Sequence, residues 1–322
     1  MAEKTILVTG GAGYVGSHVC KALARAGFTP VTYDNLIRGH RALVKWGPLV
    51  IGDVCDANGL AEVMAQHRPA AVMHFAALTV VGESVLYPEG YLRTNVGGTA
   101  AVLTAMRKQN VSRIIVSGTA AVYSTLAPSP ITEDAPIAPA NPYGDSKLAM
   151  EKLLGESGFG HVILRYFNAA GADPETETGE WHEPETHLVP NVLRAAAGIG
   201  PTLKMFGDDY PTPDGTCVRD YIHVNDIAAA HLLALKHLES QTGGHIFNLG
   251  TGTGHSVREV IDTARRVTGK PIPVTVEPRR PGDVPVLVAD PARAMKALGW
   301  EARASLEQQV TDAWRWVQKS QV

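Results

Sequence analysis

Thr9-Gly-Gly-Ala-Gly-Tyr-Val-Gly-Ser-His18 restricts what this chain can fold into more than any other segment. It carries two interleaved patterns, G-x-G-x-x-G through Gly11, Gly13 and Gly16, and G-x-x-G-x-x-G through Gly10, Gly13 and Gly16. The apolar run Ile6-Leu-Val8 before it reads as a strand, and residues 16–26 after it read as a helix. Glycines in that setting let the backbone turn tightly and approach a pyrophosphate, whose charge then rests on the helix N-terminus. Elsewhere a glycine cluster would be only a tight turn; between strand and helix it is the fingerprint of a dinucleotide site.

The rest of the first half repeats the strand–helix alternation. Thr29–Tyr33, Leu49–Ile51, Ala71–Phe75, Arg113–Ser117 and Val162–Tyr166 read as strands, with helices near 59–67, 92–109 and 143–156. Apolar strands alternating with helices imply a doubly wound, Rossmann-type parallel sheet in an α/β fold. After Phe167 the texture changes. Residues 168–186 and 277–285 read as loops, Leu203–Phe206 and His245–Leu249 as strands. Residues 190–197, 228–238, 257–268 and 305–319 read as helices, the last with Trp314 and Trp316 as core or interface residues. The expected division is a dinucleotide domain over 1–167 and a smaller α/β substrate domain over 168–322, with some later strands and helices returning to the first.

Asp34 ends the second strand, 18 residues past Gly16, where a carboxylate accepts from adenosine ribose hydroxyls. It also repels a 2′-phosphate, which favours NAD; Arg38 and Arg41 nearby argue for NADP, and the acid weighs more because it stands at the strand end. Asp53 follows the third strand, where it either caps a turn or contacts adenine.

Tyr143 and Lys147 stand four apart, so on a helix they share one face. A tyrosine ordinarily titrates near ~10, and bringing it to ~7 takes about 4 kcal/mol. One positive charge ~6 Å away supplies roughly 3 kcal/mol at an effective dielectric near 20. Lys147 with a second cation, such as an oxidised nicotinamide, could therefore make a phenolate base, less the cost of desolvation. By itself the pattern is also what a surface helix produces by chance.

Composition sets the limits. At 322 residues a large core can form, and a formal charge of −3 argues against nucleic acid or an anionic membrane as partner. No apolar run reaches the ~18 residues of a membrane span. Met1–Thr9 lacks the features of a signal peptide, and Cys20, Cys55 and Cys217 form neither a disulfide framework nor a zinc spacing, so a reducing cytoplasm is expected. The spacing of His182 and His187 matches no usual ligand set, and no metal is expected.

These residues resemble the extended short-chain dehydrogenase/reductase family and, within it, the UDP-sugar 4-epimerases. The resemblance covers nearly the whole chain: GGAGYVGSH (10–18), YDNL (33–36), GDV (52–54), HFAAL (74–78), VGESV (81–85), NVGGT (95–99), AVY (121–123), YGDSK (143–147), LRYFNAAGA (164–172), VRDYIHV (218–224), NLGTG (248–252) and RRPGD (279–283). FNAAGA with VRDYIHV is far more specific than the glycine loop alone.

The resemblance implies bound NAD, held by Gly10, Gly13, Tyr14, Val15, Gly16, Asp34, Asn35, Asp53, Val54, Phe75, Ala76, Ala77, Asn95, Ser117, Tyr143, Lys147 and Tyr166. It implies Tyr143 as base, Lys147 as its polarising partner, and Thr119 as a hydrogen-bond partner of the sugar O4. On the substrate side it implies Asn168, His187, Leu188, Phe206, Arg219, Tyr221, Arg280 and Asp283 around a UDP-sugar. Forked arginine donors suit a diphosphate, although Arg219 and Arg280 read alone could be solvated surface charge.

The implied reaction interconverts UDP-glucose and UDP-galactose by transient oxidation at C4. A 4,6-dehydratase on the same scaffold carries Asp-Glu after the threonine; here Ala120-Ala121 follows Thr119. A non-catalytic NAD-sensing protein would have lost Tyr143 or Lys147. A UDP-pentose 4-epimerase stays open. Thr79 stands where a lysine is common, which puts one cofactor or phosphate contact in question. Leu287 stands where a large residue narrows the sugar pocket, so N-acetylated hexoses would be admitted too. Homodimers through helices matching 92–109 and 143–156 are also implied.

Overall fold

The computed structural model describes residues 4–280 and 282–320. Pro281 of RRPGD and the first three residues of the segment read for a signal peptide lie outside them. The strands are β1 (Lys4–Thr9), β2 (Phe28–Asp34), β3 (Leu49–Ile51), β4 (Ala71–His74), β5 (Arg113–Thr119), β6 (Gly160–Tyr166), β7 (Asn168–Ala170), β8 (Leu203–Phe206), β9 (Val218–His223), β10 (Gly244–Leu249), β11 (Gly254–Ser256), β12 (Val274–Glu277) and β13 (Val286–Leu287). The helices are α1 (Tyr14–Arg25), α2 (Ala57–His67), α3 (Val81–Leu86), α4 (Pro88–Tyr91), α5 (Gly98–Lys108), α6 (Pro142–Glu156), α7 (Leu188–Ala196), α8 (Val224–Ser240), α9 (Val257–Thr268), α10 (Ala292–Leu298) and α11 (Leu306–Ser320). The chain forms two compact units, one of Met1–Ser124, Pro136–Arg165 and Ala228–Phe247, the other of Thr125–Ala135, Tyr166–Ile227 and Asn248–Val322.

In the first unit a seven-stranded sheet runs β10-β6-β5-β4-β1-β2-β3, and the pairings among β1 to β5 are parallel. Its strands are apolar along their length because helices cover the sheet: Leu7, Val31, Val72, Ile114 and Ile163 are buried with Leu60 and Met64 of α2 and Val102 and Met106 of α5. The chain leaves β1 toward β2 on one side, while β4 lies on the other. That reversal of strand order opens a crevice at the carboxyl ends of β1 and β4, the usual ligand position in such sheets.

The second unit is built around β9, which pairs with β11, β13 and β7; β8 and β12 form a separate parallel pair. Helices α7, α9 and α11 bury Val192, Leu193, Val260, Ile261, Val310 and Val317 in one core. Two motifs of the resemblance turn out to be mutual architecture. Asp220 of VRDYIHV is fully buried and accepts from the backbone N–H groups of Thr251 and Gly252 in NLGTG, and from Ala289 N. Helix α9 opens on a complete capping box between Ser256 and Glu259 and closes on left-handed Gly269.

Candidate active site

Gly10 has φ 74°, and a Cβ there would lie 2.5 Å from Ala76 N; a Cβ on Gly16 would lie 2.2 Å from Gly10 O. Only glycine permits the turn and the packing of α1 onto it. Gly13 is the N-cap of α1 and brings no side-chain cap, so the helix N-terminus faces the glycine turn with backbone alone.

Asp34 ends β2, is 8 % exposed, and accepts from Ala12 N at 3.1 Å and Leu36 N at 2.8 Å. Burial raises its pKa and the two backbone bonds lower it, leaving its remaining lone pairs for hydroxyl donors. Asn35 caps the same turn through Ile37 N. Arg38 is tied to Glu83 at 2.7 Å, which takes up the charge that otherwise suits a 2′-phosphate. Asp53 caps its turn at Cys55 N, 2.8 Å, while Val54 packs into the sheet core. The structure thus supplies the turn-capping role for Asp53. Phe75 and Ala76 donate their N–H groups to Thr9 O, which brings the segment after β4 beside the glycine turn; Ala77 follows, half-buried.

Farther along, Asn95 is fully buried in a π-helical turn, Leu92–Gly97. Such turns are rare and frequent at functional sites. Its amide joins Leu78 N (2.8 Å), Leu78 O (3.0 Å) and Ser146 Oγ (2.9 Å). Asn95 therefore couples the segment after β4 to α6, the helix that carries Tyr143 and Lys147.

Helix α6 starts cleanly because Asn141 accepts from Gly144 N at 2.9 Å and Pro142 occupies its first turn. Tyr143 and Lys147 do share its face, turned toward the end of β5. Tyr143 is hydrogen-bonded to Thr119 and meets Tyr91 edge-on, ring centres 6.4 Å apart. Lys147 is 2 % exposed and donates to Ser117 O at 3.0 Å, with Ser117 Oγ at 3.5 Å. Burial brings its pKa down to about 8, and Glu151 opposes that shift.

With Lys147 alone beside it, desolvation decides the direction of the phenol's shift. Burial raises the Tyr143 pKa, and the Thr119 hydrogen bond only partly offsets it. The Lys147 ammonium is engaged by Ser117. A second positive charge beside the ring would favour the phenolate, in line with the arithmetic of a single cation. His74, fully buried between Thr9 Oγ1 (2.7 Å) and Thr99 Oγ1 (3.1 Å), stays neutral: burial and Lys147 push its pKa down to about 3. A histidine inside an apolar strand, flanked by threonines only in space, leaves no periodic signal in the sequence.

In the second unit, Arg219, Arg280 and Asp283 come together: Asp283 Oδ1 lies 3.4 Å from Arg219 Nη2 and Asp283 Oδ2 lies 2.9 Å from Arg280 Nε. Arg280 also covers the Phe206 ring at 5.0 Å. Tyr221 is buried within range of both guanidiniums, and burial raises its phenol. Asn168 is opposite Tyr221 in the β7–β9 register, and Leu287 opposite Arg219 in β13–β9. Leu188 begins α7 and packs on the core of this unit, while His187 turns its ring to Glu180 and Glu185. Tyr166 closes β6, buried, and Thr79 is exposed.

The family model described as the NAD dependent epimerase/dehydratase family matches residues 6–250. The chain belongs to this family. A UDP-glucose 4-epimerase of Rhizobium leguminosarum bv. trifolii is 45 % identical over 324 residues, 99 % of each chain. The crystal structure of UDP-glucose 4-epimerase from Brucella ovis in complex with NAD is 47 % identical, covers 97 % of this chain and 98 % of its own, and superposes with a TM-score of 0.95. A Stenotrophomonas maltophila UDP-glucose-4-epimerase, solved with NAD and formylated UDP-arabinopyranose, is 40 % identical over 99 % of both chains, TM-score 0.96. As a family member the chain has the residues to fit NAD: a glycine turn closed to a Cβ at Gly10 and Gly16, a helix opening on Gly13, and the carboxylate of Asp34 at the end of β2.

Proposed function

We propose that this protein is a UDP-glucose 4-epimerase that interconverts UDP-glucose and UDP-galactose on resident NAD. The observation that carries the reading is the set Thr119, Tyr143 and buried Lys147 at the end of β5, followed by Ala120-Ala121 and no carboxylate. Eliminating water from a sugar needs a further acid/base pair, and these alanines cannot provide one. What remains is a single proton taken and returned.

NAD, when bound, supplies the hydride acceptor and donor for sugar C4 and a positive nicotinamide beside the phenol. Thr119 and Tyr143 would hold the 4-hydroxyl, and Tyr143 would take its proton as that charge and Lys147 favour the phenolate. Lys147, fixed on Ser117, would also bind the nicotinamide ribose, with Asn95 and Phe75 to Ala77 along the cofactor. Asp34 and Asn35 would hold the adenosine ribose, and Tyr166 would close the cofactor site.

On the substrate side we assign the nucleotide diphosphate to Arg219 and Arg280, with Asp283 holding both guanidiniums and accepting from a ribose hydroxyl. Asn168, Leu188, Phe206 and Tyr221 complete this side. His187 is left out of it because its ring nitrogen is committed to two carboxylates. Epimerisation needs the nucleotide held firmly and the sugar loosely, so that both faces of C4 reach one nicotinamide. Leu287 beside Arg219 supports admission of N-acetylated hexoses.

A second copy of the chain is the proposed partner. Val85, Leu86, Tyr87 and Leu92 are all at least half exposed, around the helices named for a dimer. Light scattering of the purified protein reads the mass. Three free cysteines support a reducing cytoplasm; among the described residues no helix is long and apolar enough to cross a membrane.

The test is conversion of UDP-galactose without added NAD, resolved by chromatography. The expected product is UDP-glucose with no 4-keto-6-deoxy sugar. Tyr143→Phe should lose about 100-fold or more; full activity in that variant sinks the assignment of the base. Absence of UDP-N-acetylglucosamine turnover beside brisk UDP-galactose turnover removes the reading of Leu287.

A further inference from the structure

Outside the redox site, the loop that leads into α7 gathers Glu180, His182, Glu185 and His187. One ligand-capable atom from each lies within 4.8 Å of all the others. The Nδ1 of His187 is 2.6 Å from Glu180 Oε1 and 3.2 Å from Glu185 Oε1. The Nδ1 of His182 is 3.0 Å from Glu180 Oε1 and 3.9 Å from Glu185 Oε2. In tetrahedral zinc with bonds of ~2.0–2.1 Å, neighbouring ligand atoms are ~3.4 Å apart. The observed separations bracket that value, so a small contraction on one side and expansion on the other would seat an ion.

The carboxylates are buried, with side-chain exposures of 6 % for Glu180 and 5 % for Glu185. Two buried anions demand two positive charges nearby. The loop is also held in place from behind. Trp316 on α11 donates to Glu180 O at 2.9 Å, and a Cβ on Gly179 would collide with that indole ring. Glu185 Oε1 accepts from Thr186 N and His187 N, which orients its carboxylate and leaves Oε2 turned to His182. Outer contacts of this kind orient metal ligands and set affinity.

We propose that Glu180, His182, Glu185 and His187 bind one zinc ion, a closed structural site that clamps the loop onto the start of α7. The donor set is two imidazoles and two carboxylates, a combination zinc accepts in four-coordinate form. With all four positions filled by protein no site is left for a reacting water, so the ion's part is architectural. It is independent of the epimerase reading.

Charge also separates the two ways this cluster can be satisfied. Without metal, Glu180 and Glu185 hold His187 protonated, its pKa raised to about 10 by these carboxylates against the effect of burial. Zinc is bound by neutral imidazoles, so the proton on His187 must be released as the metal enters.

The experiment takes the full chain, strips it with a chelator, dialyses it against zinc sulfate and counts metal by mass spectrometry. One zinc per chain is expected. Calorimetric titration in two buffers of different ionisation enthalpy should show proton release. Cobalt(II) in place of zinc should give the strong visible absorption of a tetrahedral ion. A Glu180→Gln/His182→Gln double variant should lose affinity by about 100-fold or more, while Tyr143→Phe keeps it. Uptake of roughly a tenth of an ion or less by the wild-type chain overturns the proposal, whatever the double variant does. So does unchanged uptake in a folded double variant, or weak octahedral cobalt absorption.

Discussion

Replacing Glu151 with glutamine separates the two tasks that this side chain performs on α6. Its carboxylate forms a bidentate pair with Arg165, 2.9 Å to Nε and 2.6 Å to Nη2, with exposures of 8 % and 4 %. Removing one member of a buried pair costs about 3–5 kcal/mol, because the remaining charge is left in low dielectric. Arg165 keeps the Tyr123 hydroxyl at 2.9 Å, and glutamine keeps one acceptor, so the lower end, about 3 kcal/mol, is expected. The second task is electrostatic. Glu151 is one turn beyond Lys147 and holds its pKa up against burial. At ~6 Å and an effective dielectric of 20, the full interaction is worth roughly 2 pKa units. Arg165 already cancels part of it, so about one unit is expected. The Lys147 ammonium would then be lost near pH ~7 instead of about 8. Urea unfolding of the full chain and a pH profile of kcat read the two effects. A stability loss with an unmoved alkaline limb would refute the link between Glu151 and Lys147. A variant as stable as the parent would refute the cost assigned to the buried pair.

Lys147 makes activity and stability diverge with pH. Its folded pKa of about 8 is below the ordinary 10.5, so the unfolded chain binds more protons between those values and stability rises with pH there, while turnover falls. His74 acts at the acid end: with a folded pKa of about 3 against 6.5, it costs stability progressively as pH drops through that window. Acid unfolding of His74→Asn, compared with the parent, should show a shallower loss. Gly16→Ala places a Cβ 2.2 Å from Gly10 O and should yield protein that retains no NAD after gel filtration. Arg219→Ala should raise the KM for UDP-galactose by about 10-fold or more, with a smaller change in kcat; equal losses in both would place Arg219 at the chemistry instead.

Periodicity made the first unit legible almost strand by strand. Leu49–Ile51 and Val257–Thr268 begin and end at the expected residues, because each is bounded by a strong turn or cap. Three features escaped for physical reasons. Strand β9 carries Arg219, Asp220 and His223 among six residues, a composition without a strand signal, and its place is fixed by Asp220 accepting from three backbone N–H groups. Short α3 and α4, before residue 92, carry too few residues to show a period, and the helix expected over 92–109 opens as the π-turn Leu92–Gly97 before continuing as α5. The cluster at 180–187 places acids and histidines at intervals of two and three in an irregular loop, where neither helical nor strand spacing applies. The repeated Glu-x-His, five residues apart, was the available signal. At the site, Tyr143 and Lys147 on one face could be read from spacing alone, whereas the direction of the Tyr143 shift depended on burial, which spacing does not carry.

Glu83 joins the two ends of the cofactor region in a way that bears on how this enzyme could change its coenzyme. One of its oxygens holds Arg38, and the other lies 3.1 Å from Tyr91 Oη, whose ring meets Tyr143. Replacing Glu83 to free Arg38 for a 2′-phosphate would also take a hydrogen-bond partner from Tyr91, beside the catalytic phenol, and leave it Val80 O alone. A lineage, or a protein engineer, that moves toward NADP through Glu83 disturbs the surroundings of the base at the other end. The present preference is thus guarded by a trade-off, and a successful switch should need a compensating change at Tyr91.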